Sequence, residues 1–329
     1  MKKRMFMSKT PLRITFVGGG TDIKDYYSKY GKGAVLSASI NKFIYIIVNR
    51  KFDSKIRVSY SKTEIVDSVD MIEHPSVREA LKLLNIDGGI EIVSISDIPS
   101  GGTGLGSSST FLVGLLNALH AWKGEFASPE QLAQEAVKIE REILREPGGK
   151  QDQYMAAYGG VNYLEFYPDE SVLVKPVISS EETREKLQEN LLLLYTGVQR
   201  ASGDIHTAQS KNVESKSRNY EEMVRIAEEA YSRLSNGDYE SMGPYLHRNW
   251  MLKKELSNGI SNSFIDDAYN RAMRCGAGGG KLIGAGGGGF LLFYANPGTQ
   301  EKIVLELSQM KQEPFRFEFQ GSRIVHVGD

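Results

Sequence analysis

Cysteine is almost absent: Cys275 is the only one in 329 residues. No disulfide can close within the chain, which excludes a disulfide-stapled scaffold and fits a reducing compartment. Long apolar runs are also missing. None approaches the roughly 18 residues that a membrane-spanning helix needs. The basic start Met1-Lys2-Lys3-Arg4 leads only into Met5-Phe6-Met7 before Ser8, Lys9, Thr10 and Pro11 end the run. That is too short for the apolar segment of a signal peptide. A cytoplasmic protein without a membrane partner is expected. Charge of one sign is lacking as well: the net charge is -1. No field exists to gather nucleic acid or an anionic membrane, so a bound phosphate must be held by local groups. No repeat unit or low-complexity tail is found. There is no GxxxxGK[ST] run and no HRD or DFG set, which excludes the P-loop and protein-kinase classes.

What the chain has in excess is glycine, 34 residues against 10 prolines. The glycines cluster at Gly18-Gly19-Gly20, at Gly101 to Gly106 and at Gly276 to Gly289. Between the clusters the patterning predicts strands at 12–17, 43–49, 56–60 and 90–95. It predicts helices at 76–86 and at 107–122, the second apolar nearly all round, as a central buried helix would be. Ser128 with Gln131 forms a capping box and Pro129 takes the first helical position, so a helix should run from there to just before Pro147. Strands are expected at 161–166 and 172–178. The charged stretch 179–190 reads as a boundary between a domain of residues 1–182 and one of residues 183–329. Beyond it come a strand at 191–195, helices at 219–235, 239–257 and 262–275, and strands near 281–283, 289–294, 315–320 and 323–327. Strands and helices alternate irregularly, which predicts α+β in two domains and not a doubly wound sheet.

The strongest motif is Pro99-Ser100-Gly101-Gly102-Thr103-Gly104-Leu105-Gly106, followed by Ser107, Ser108 and Ser109. A strand precedes it and an apolar helix follows. Glycines let the backbone approach an anion, and the free N–H groups at a helix start point at it. A serine in that first turn can also ligate a Mg2+ ion riding on phosphates. A dinucleotide-binding reading requires an acidic residue about 20 positions on, at the end of the next strand. Trp122-Lys123-Gly124-Glu125 stands there instead, in a helix-to-loop setting.

One carboxylate is out of place. Glu140 falls at helical spacing from Ala136, Val137, Ile143 and Leu144, so it shares the apolar stripe of its helix. A carboxylate there is costly unless it is paired or bound to a cation. An ion pair and a Mg2+ ligand are the two readings. Twelve residues on, Gly148-Gly149-Lys150-Gln151-Asp152-Gln153 places Asp152 after a glycine turn.

Three blocks, in order, resemble the GHMP kinases. They are Pro11 to Asp22, with its Gly18-Gly19-Gly20-Thr21-Asp22 end, the loop Pro99 to Ser109, and Lys281-Leu-Ile-Gly284-Ala285-Gly286-Gly287 running on to Gly289. The resemblance implies a ribosomal-protein-like N-terminal domain, a ferredoxin-like C-terminal domain and an active site in the cleft between them. It implies ATP and Mg2+ as cofactors, with the phosphates on the loop Gly101 to Ser109 and the metal on Ser108 and Glu140. Asp152 would accept or orient the proton of the attacking hydroxyl, and Arg13 would neutralise charge beside it. Asp22, with Gly20, Thr21, Lys150 and Gln151, would hold the sugar, and Gly284 to Gly287 would lie near the site.

The Gly-Gly-Gly-Thr-Asp form, together with Gly-Gly-Lys-Gln-Asp-Gln, is similar to the bacterial D-glycero-D-manno-heptose 7-phosphate kinases within this family. Fucokinase domains share a related block. The expected partners are therefore a small sugar phosphate and ATP, with no nucleic acid. Heptose 7-phosphate would be phosphorylated on the anomeric O1, for nucleotide-activated heptose and surface glycans. A non-catalytic sugar- or nucleotide-binding regulator is the rival from another class. It could keep the glycine loop and lose the acids, but Glu140 and Asp152 are both present. Lys150 is the candidate cation for a substrate phosphate, and Arg200, His206, His247 and Arg248 could add to it. Oligomeric state is not legible, and a homodimer stays open.

Overall fold

The computed structural model describes residues 5–99, 101–199 and 203–328. The first half runs β1 (Met5–Val17), α1 (Lys24–Tyr30), β2 (Gly33–Arg50), β3 (Ile56–Ser59), β4 (Thr63–Val66), α2 (Pro75–Leu83), β5 (Ile90–Ser96), α3 (Ser107–Lys123), α4 (Pro129–Val137), α5 (Gln151–Tyr158), β6 (Val161–Phe166) and β7 (Val172–Pro176). The second half runs α6 (Glu181–Glu189), β8 (Leu191–Tyr195), α7 (Gly203–Asn212), α8 (Ser217–Ser235), α9 (Met242–Lys254), α10 (Ser263–Arg274), β9 (Gly279–Leu282), β10 (Phe290–Tyr294), α11 (Pro297–Glu306), β11 (Lys311–Gln312) and β12 (Arg323–Gly328). The fold is α+β, with two sheets among the described residues. Among the described residues no helix is long and apolar enough to cross a membrane.

The larger sheet has the order β12-β1-β2-β5-β3-β4, with β6 paired to β2 and β7 to β6. Strand β2 is the spine. Its first part, Gly33 to Ala38, pairs with β6, and its second part, Ile44 to Arg50, pairs with β5. The second part is the expected β-branched and aromatic run. The first part (AVLSASI) is buried throughout and shows no alternation, so sequence pattern left it unassigned. Helix α3 packs on β1 and β2 and buries Leu112, Leu115, Leu116 and Leu119 completely. Each such side chain contributes roughly 1.5–3 kcal/mol of hydrophobic stabilisation. The smaller sheet has the order β11-β8-β10-β9, and α9 bridges the two sheets, packing on both β9 and β1.

Several expectations change. The charged stretch 179–190 folds as α6, capped by the Ser180 side chain accepting from Thr183 N. A division after residue 182 falls in the first turn of that helix. The last strand, β12, returns to pair with β1 in the first sheet. Residues 315–320 form no strand. They cross from one sheet to the other, held by Asn41 N donating to Arg316 O, Glu318 N to Ser39 O and Gly160 N to Glu318 O. Helix α11 was missed although Asn296 caps it and Pro297 opens it. Helix α7 was missed because only Ile205 and Gln209 are buried in it, and they make no apolar stripe.

The helix from Ser128 does not run to Pro147 as one α-helix. After Val137 it widens into a π-helical turn, Lys138–Ile143, with Leu144 N bonded back to Ile139 O. The wider turn changes the phase of the stripe. Glu140 stays inside at 1 % exposed, while Ile143, expected beside it, is 43 % exposed. Such turns recur at functional sites because they re-aim one side chain out of register.

Candidate active site

Helix α3 begins directly after the glycine loop, and its first turn meets Glu140. Ser108 Oγ donates to Glu140 Oε1 at 3.1 Å and Ser109 Oγ to Oε2 at 2.7 Å. Gln153 Nε2 donates to the same Oε2, and Arg141 Nη2 stands 3.7 Å away. The buried carboxylate is thus satisfied by hydroxyls and an amide, with one cation beside it. Its charge also pushes the neighbouring Glu146 carboxyl above its usual range, after burial as the main cause. Among the described residues no cluster of three or more His, Cys, Asp or Glu side chains is placed to cage a metal. One carboxylate with one hydroxyl is, however, the protein share that Mg2+ takes when phosphates and waters supply the rest. Ser108 and Glu140 fit that ion.

Asp152 lies in the first turn of α5. Arg13, on β1, grips it with two bonds, Nε to Oδ1 and Nη2 to Oδ2, both 2.8 Å. The remaining Arg13 nitrogen, Nη1, donates to Gly104 O at 2.5 Å, and Leu105 O accepts from Arg13 N at 3.1 Å. Arg13 therefore ties the carboxylate to the glycine loop. A forked pair of this kind fixes the plane of the carboxylate as well as its place.

Asp22 is 3 % exposed. Its Oδ1 accepts from Gly20 N at 3.0 Å, and its Oδ2 accepts from Gln151 N at 3.2 Å and Gln151 Nε2 at 3.1 Å. Gln151 Oε1 is held in turn by Thr15 Oγ1 at 2.6 Å. Gly149 is needed beside it: a Cβ there would lie 1.8 Å from Asp22 Oδ2.

The glycine loop also leans on the late glycine motif. A Cβ on Gly104 would lie 2.4 Å from Ile283 O, and one on Gly284 would lie 2.5 Å from Gly104 Cα. Two backbones meet here with no room for side chains, which is why two distant segments are both glycine-rich.

These pieces surround one polar cleft. A cavity of about 400 Å3 is lined by the loop (Gly101, Gly102, Thr103, Gly104, Gly106), by Ser107, Ser108 and Ser109, and by Glu140, Arg141 and Asp152. Gly284, Ala285 and Gly286 close it from the second half of the chain. A smaller cavity of about 50 Å3 adjoins it, sharing Arg13, Asp152, Arg141 and His206, and adds Gly20, Asp22, Gln151, Gln209 and Lys253. Asp152 stands at the junction.

Four expected residues line neither of these two cavities. Leu105 is fully buried in the core. Gly287 turns away, its N–H donating to Ile260 O. Thr21 Oγ1 exchanges bonds with Ala34 N and O and steadies the strand, not a ligand. Lys150 Nζ is bonded to Glu170, in a further cavity of about 400 Å3 on the other side of Asp22. Of the second-half cations, His206 reaches the cleft, while His247 is bonded to Tyr269 and Arg248 to Glu222. Arg200 lies outside the described residues.

The sequence reading missed Arg141, Gln209 and Lys253. Lys253 reads as one of a pair of lysines closing a helix, yet it is wholly buried, with Nζ donating to Gly284 O at 2.6 Å. Burial pushes it down to about 8, with Arg13 adding to the fall and Asp22 and Asp152 opposing it. Burial likewise pushes His206 below its usual value, though Asp22 pulls the other way. Lys281 is buried too, its Nζ donating to Thr15 O at 2.9 Å.

Residues 70–160 match the GHMP kinases N terminal domain and residues 226–312 the GHMP kinases C terminal domain. The chain belongs to the GHMP kinases. It is an ATP-dependent phosphotransferase acting on a sugar. The D-glycero-alpha-D-manno-heptose 7-phosphate kinase of Campylobacter jejuni is 32% identical to this GHMP kinase, over 95% of this chain and 97% of that one. The bifunctional fucokinase/GDP-fucose pyrophosphorylase of Arabidopsis thaliana is 26% identical over 94% of this chain and 31% of its own length. The crystal structure of a D-glycero-D-manno-heptose 1-phosphate kinase from Bacteroides thetaiotaomicron superposes with a TM-score of 0.81. It is 26% identical and covers 98% of this chain and 100% of its own.

Proposed function

We propose that this GHMP kinase transfers the γ-phosphoryl group of ATP to the anomeric O1 of D-glycero-D-manno-heptose 7-phosphate. The products are the 1,7-bisphosphate, ADP and a proton. The bisphosphate would feed nucleotide-activated heptose for surface glycans. The observation that carries the reading is the place of Asp152, clamped by Arg13 where the phosphate-loop cavity meets the polar pocket of Asp22. Similarity along the whole chain to a heptose 7-phosphate kinase supports the choice of sugar.

In this reading the amides of the glycine loop and the start of α3 hold the ATP phosphates. Ser108 and Glu140 would hold Mg2+, which when bound neutralises phosphate charge. Asp152 takes or orients the proton of the O1 hydroxyl, and Arg13 holds its carboxylate in place with two hydrogen bonds. Asp22 has lone pairs left beyond its three N–H partners, and they can accept sugar hydroxyls. The cavity beyond Asp22, lined by Lys24, Arg141 and Lys150, would take the 7-phosphate. There Lys24 and Lys150 now meet Glu170, which the phosphate would have to replace.

The test is ADP release with MgATP and, in turn, heptose 7-phosphate, free heptose, fucose, galactose, mannose and mevalonate. Heptose 7-phosphate should give the highest kcat/KM. Lys150→Ala should raise its KM about tenfold and leave the free sugar unchanged, since a hydrogen bond between charged groups is worth roughly 1.5–3 kcal/mol. Preference for the free heptose would end the 7-phosphate assignment, and preference for fucose would replace it with a fucokinase-like reading.

A further inference from the structure

Gln209 is an anomaly. It sits on α7, it is 0 % exposed, and neither its Oε1 nor its Nε2 meets a hydrogen-bond partner among the described residues. Burying both ends of an amide unpaired is costly, and native proteins pair such groups with protein, water or ligand. The amide lines the small cavity that also holds Asp22, Gln151 and Asp152. One turn earlier on the same helix, His206 lines the same cavity with an unpartnered Nδ1. Two side chains at helical spacing therefore present free donors and acceptors toward Asp22 from the opposite half of the chain.

The chemistry that fits is a neutral polyol. An amide with both ends free can accept from one hydroxyl and donate to the next, so it reads two adjacent hydroxyls at once. Burial keeps His206 toward its neutral form, so that it too suits a hydroxyl rather than a phosphate. The cations that line the cavity have protein partners: Arg13 is bonded to Asp152, Lys253 to Gly284 O, and Arg141 to Gly149 O and Glu146 O.

We propose that Gln209, assisted by His206, is a specificity-determining residue of the acceptor pocket that reads hydroxyls of the sugar ring. The inference rests on the sugar-kinase reading of the site and adds that α7 supplies the second half of the sugar contacts. Such a site would reject a sugar lacking the hydroxyls it pairs, because the amide would then stay buried and unpaired.

The test replaces Gln209 by methionine, which has the same reach and no amide, and by leucine as a second variant. Each is assayed by ADP release with varied heptose 7-phosphate and with varied ATP, and its Tm is measured. The expected result is a KM for the sugar phosphate raised about tenfold, an ATP KM within about twofold of wild type and no fall in Tm. An unchanged sugar KM would mean that the amide is paired by water alone, and it would overturn the proposal. A parallel rise in both KM values with a lower Tm would mark a structural role and overturn it equally. If wild type prefers another sugar of the panel, the heptose assignment fails. The Gln209 effect is then read on that sugar and stands or falls by itself.

Discussion

Asp152 faces a guanidinium that is bonded to the carboxylate itself and to Gly104 O of the glycine loop, while the backbone N–H of Arg13 donates to Leu105 O of the same loop. The local geometry therefore survives loss of the charge on Asp152 better than loss of its side chain. Asp152→Asn should leave Tm and ATP binding near wild type and lower kcat by roughly 10²–10⁴-fold, the range for lost acid–base catalysis. Turnover near wild type, with ATP affinity intact, would remove Asp152 from the mechanism. Glu140 invites a different test, because it also holds Ser108, Ser109 and Gln153. Ser108→Ala and Glu140→Ala should both raise the Mg2+ concentration needed for half-maximal activity, and excess Mg2+ should partly rescue Ser108→Ala. Unchanged Mg2+ titrations in both variants would leave Glu140 as a purely structural hydrogen-bond hub.

Among the elements, the loop before α3 and the motif after β9 depend on each other. Gly284 has φ +85°, and a Cβ there would lie 2.5 Å from Gly104 Cα and 2.9 Å from Gly104 O. Backbone is in the way, so no rotamer can relieve the contact. Gly284→Ala should cost about 1–3 kcal/mol, through left-handed strain and displacement of the loop. The paired measurement is thermal unfolding with an ATP titration, where Tm should fall by several degrees and ATP affinity should weaken with it. A fall in Tm with ATP binding unaffected would show that the loop keeps its shape without this contact. The π-helical turn at Lys138–Ile143 is the other element that decides geometry. Without it Glu140 would keep the phase of a plain α-helix, and Ile143 would share its buried face.

For the molecule as a whole, α9 carries a lysine into the seam between the halves. Lys253 is pushed down to about 8 from an ordinary 10.5. Between those values the unfolded chain holds the proton and the folded chain releases it, so this group makes stability rise with pH. Below pH 8 both states are charged, and the folded protein bears the full cost, on the order of 3 kcal/mol. Lys253→Met removes that cost. The stability of the variant minus that of wild type should thus be largest near neutral pH and shrink as pH rises from 8 toward 10.5. Denaturant unfolding at pH 7 and pH 10 checks it, and a difference that is flat or grows with pH would contradict the burial of a charged amine there.

The sequence by itself determined the elements with a strong period or a clear cap, such as α3, the Ser128 cap and the β-branched half of β2. It also determined the chemistry-bearing types: a glycine loop with a serine-tipped helix, Glu140 on an apolar stripe, and Asp152 after a glycine turn. These were legible because local rules of spacing and capping produce them. Tertiary structure decided what local rules cannot reach. It joined Arg13 to Asp152 across 139 positions and sent Lys150 to Glu170. It buried Lys253 and brought α7 over the small polar cavity of Asp22. Helix α7 shows the physical reason. Its inner face meets a cavity instead of a core, so it carries His206 and Gln209 where pattern reading looks for leucines, and only the fold reveals what they face.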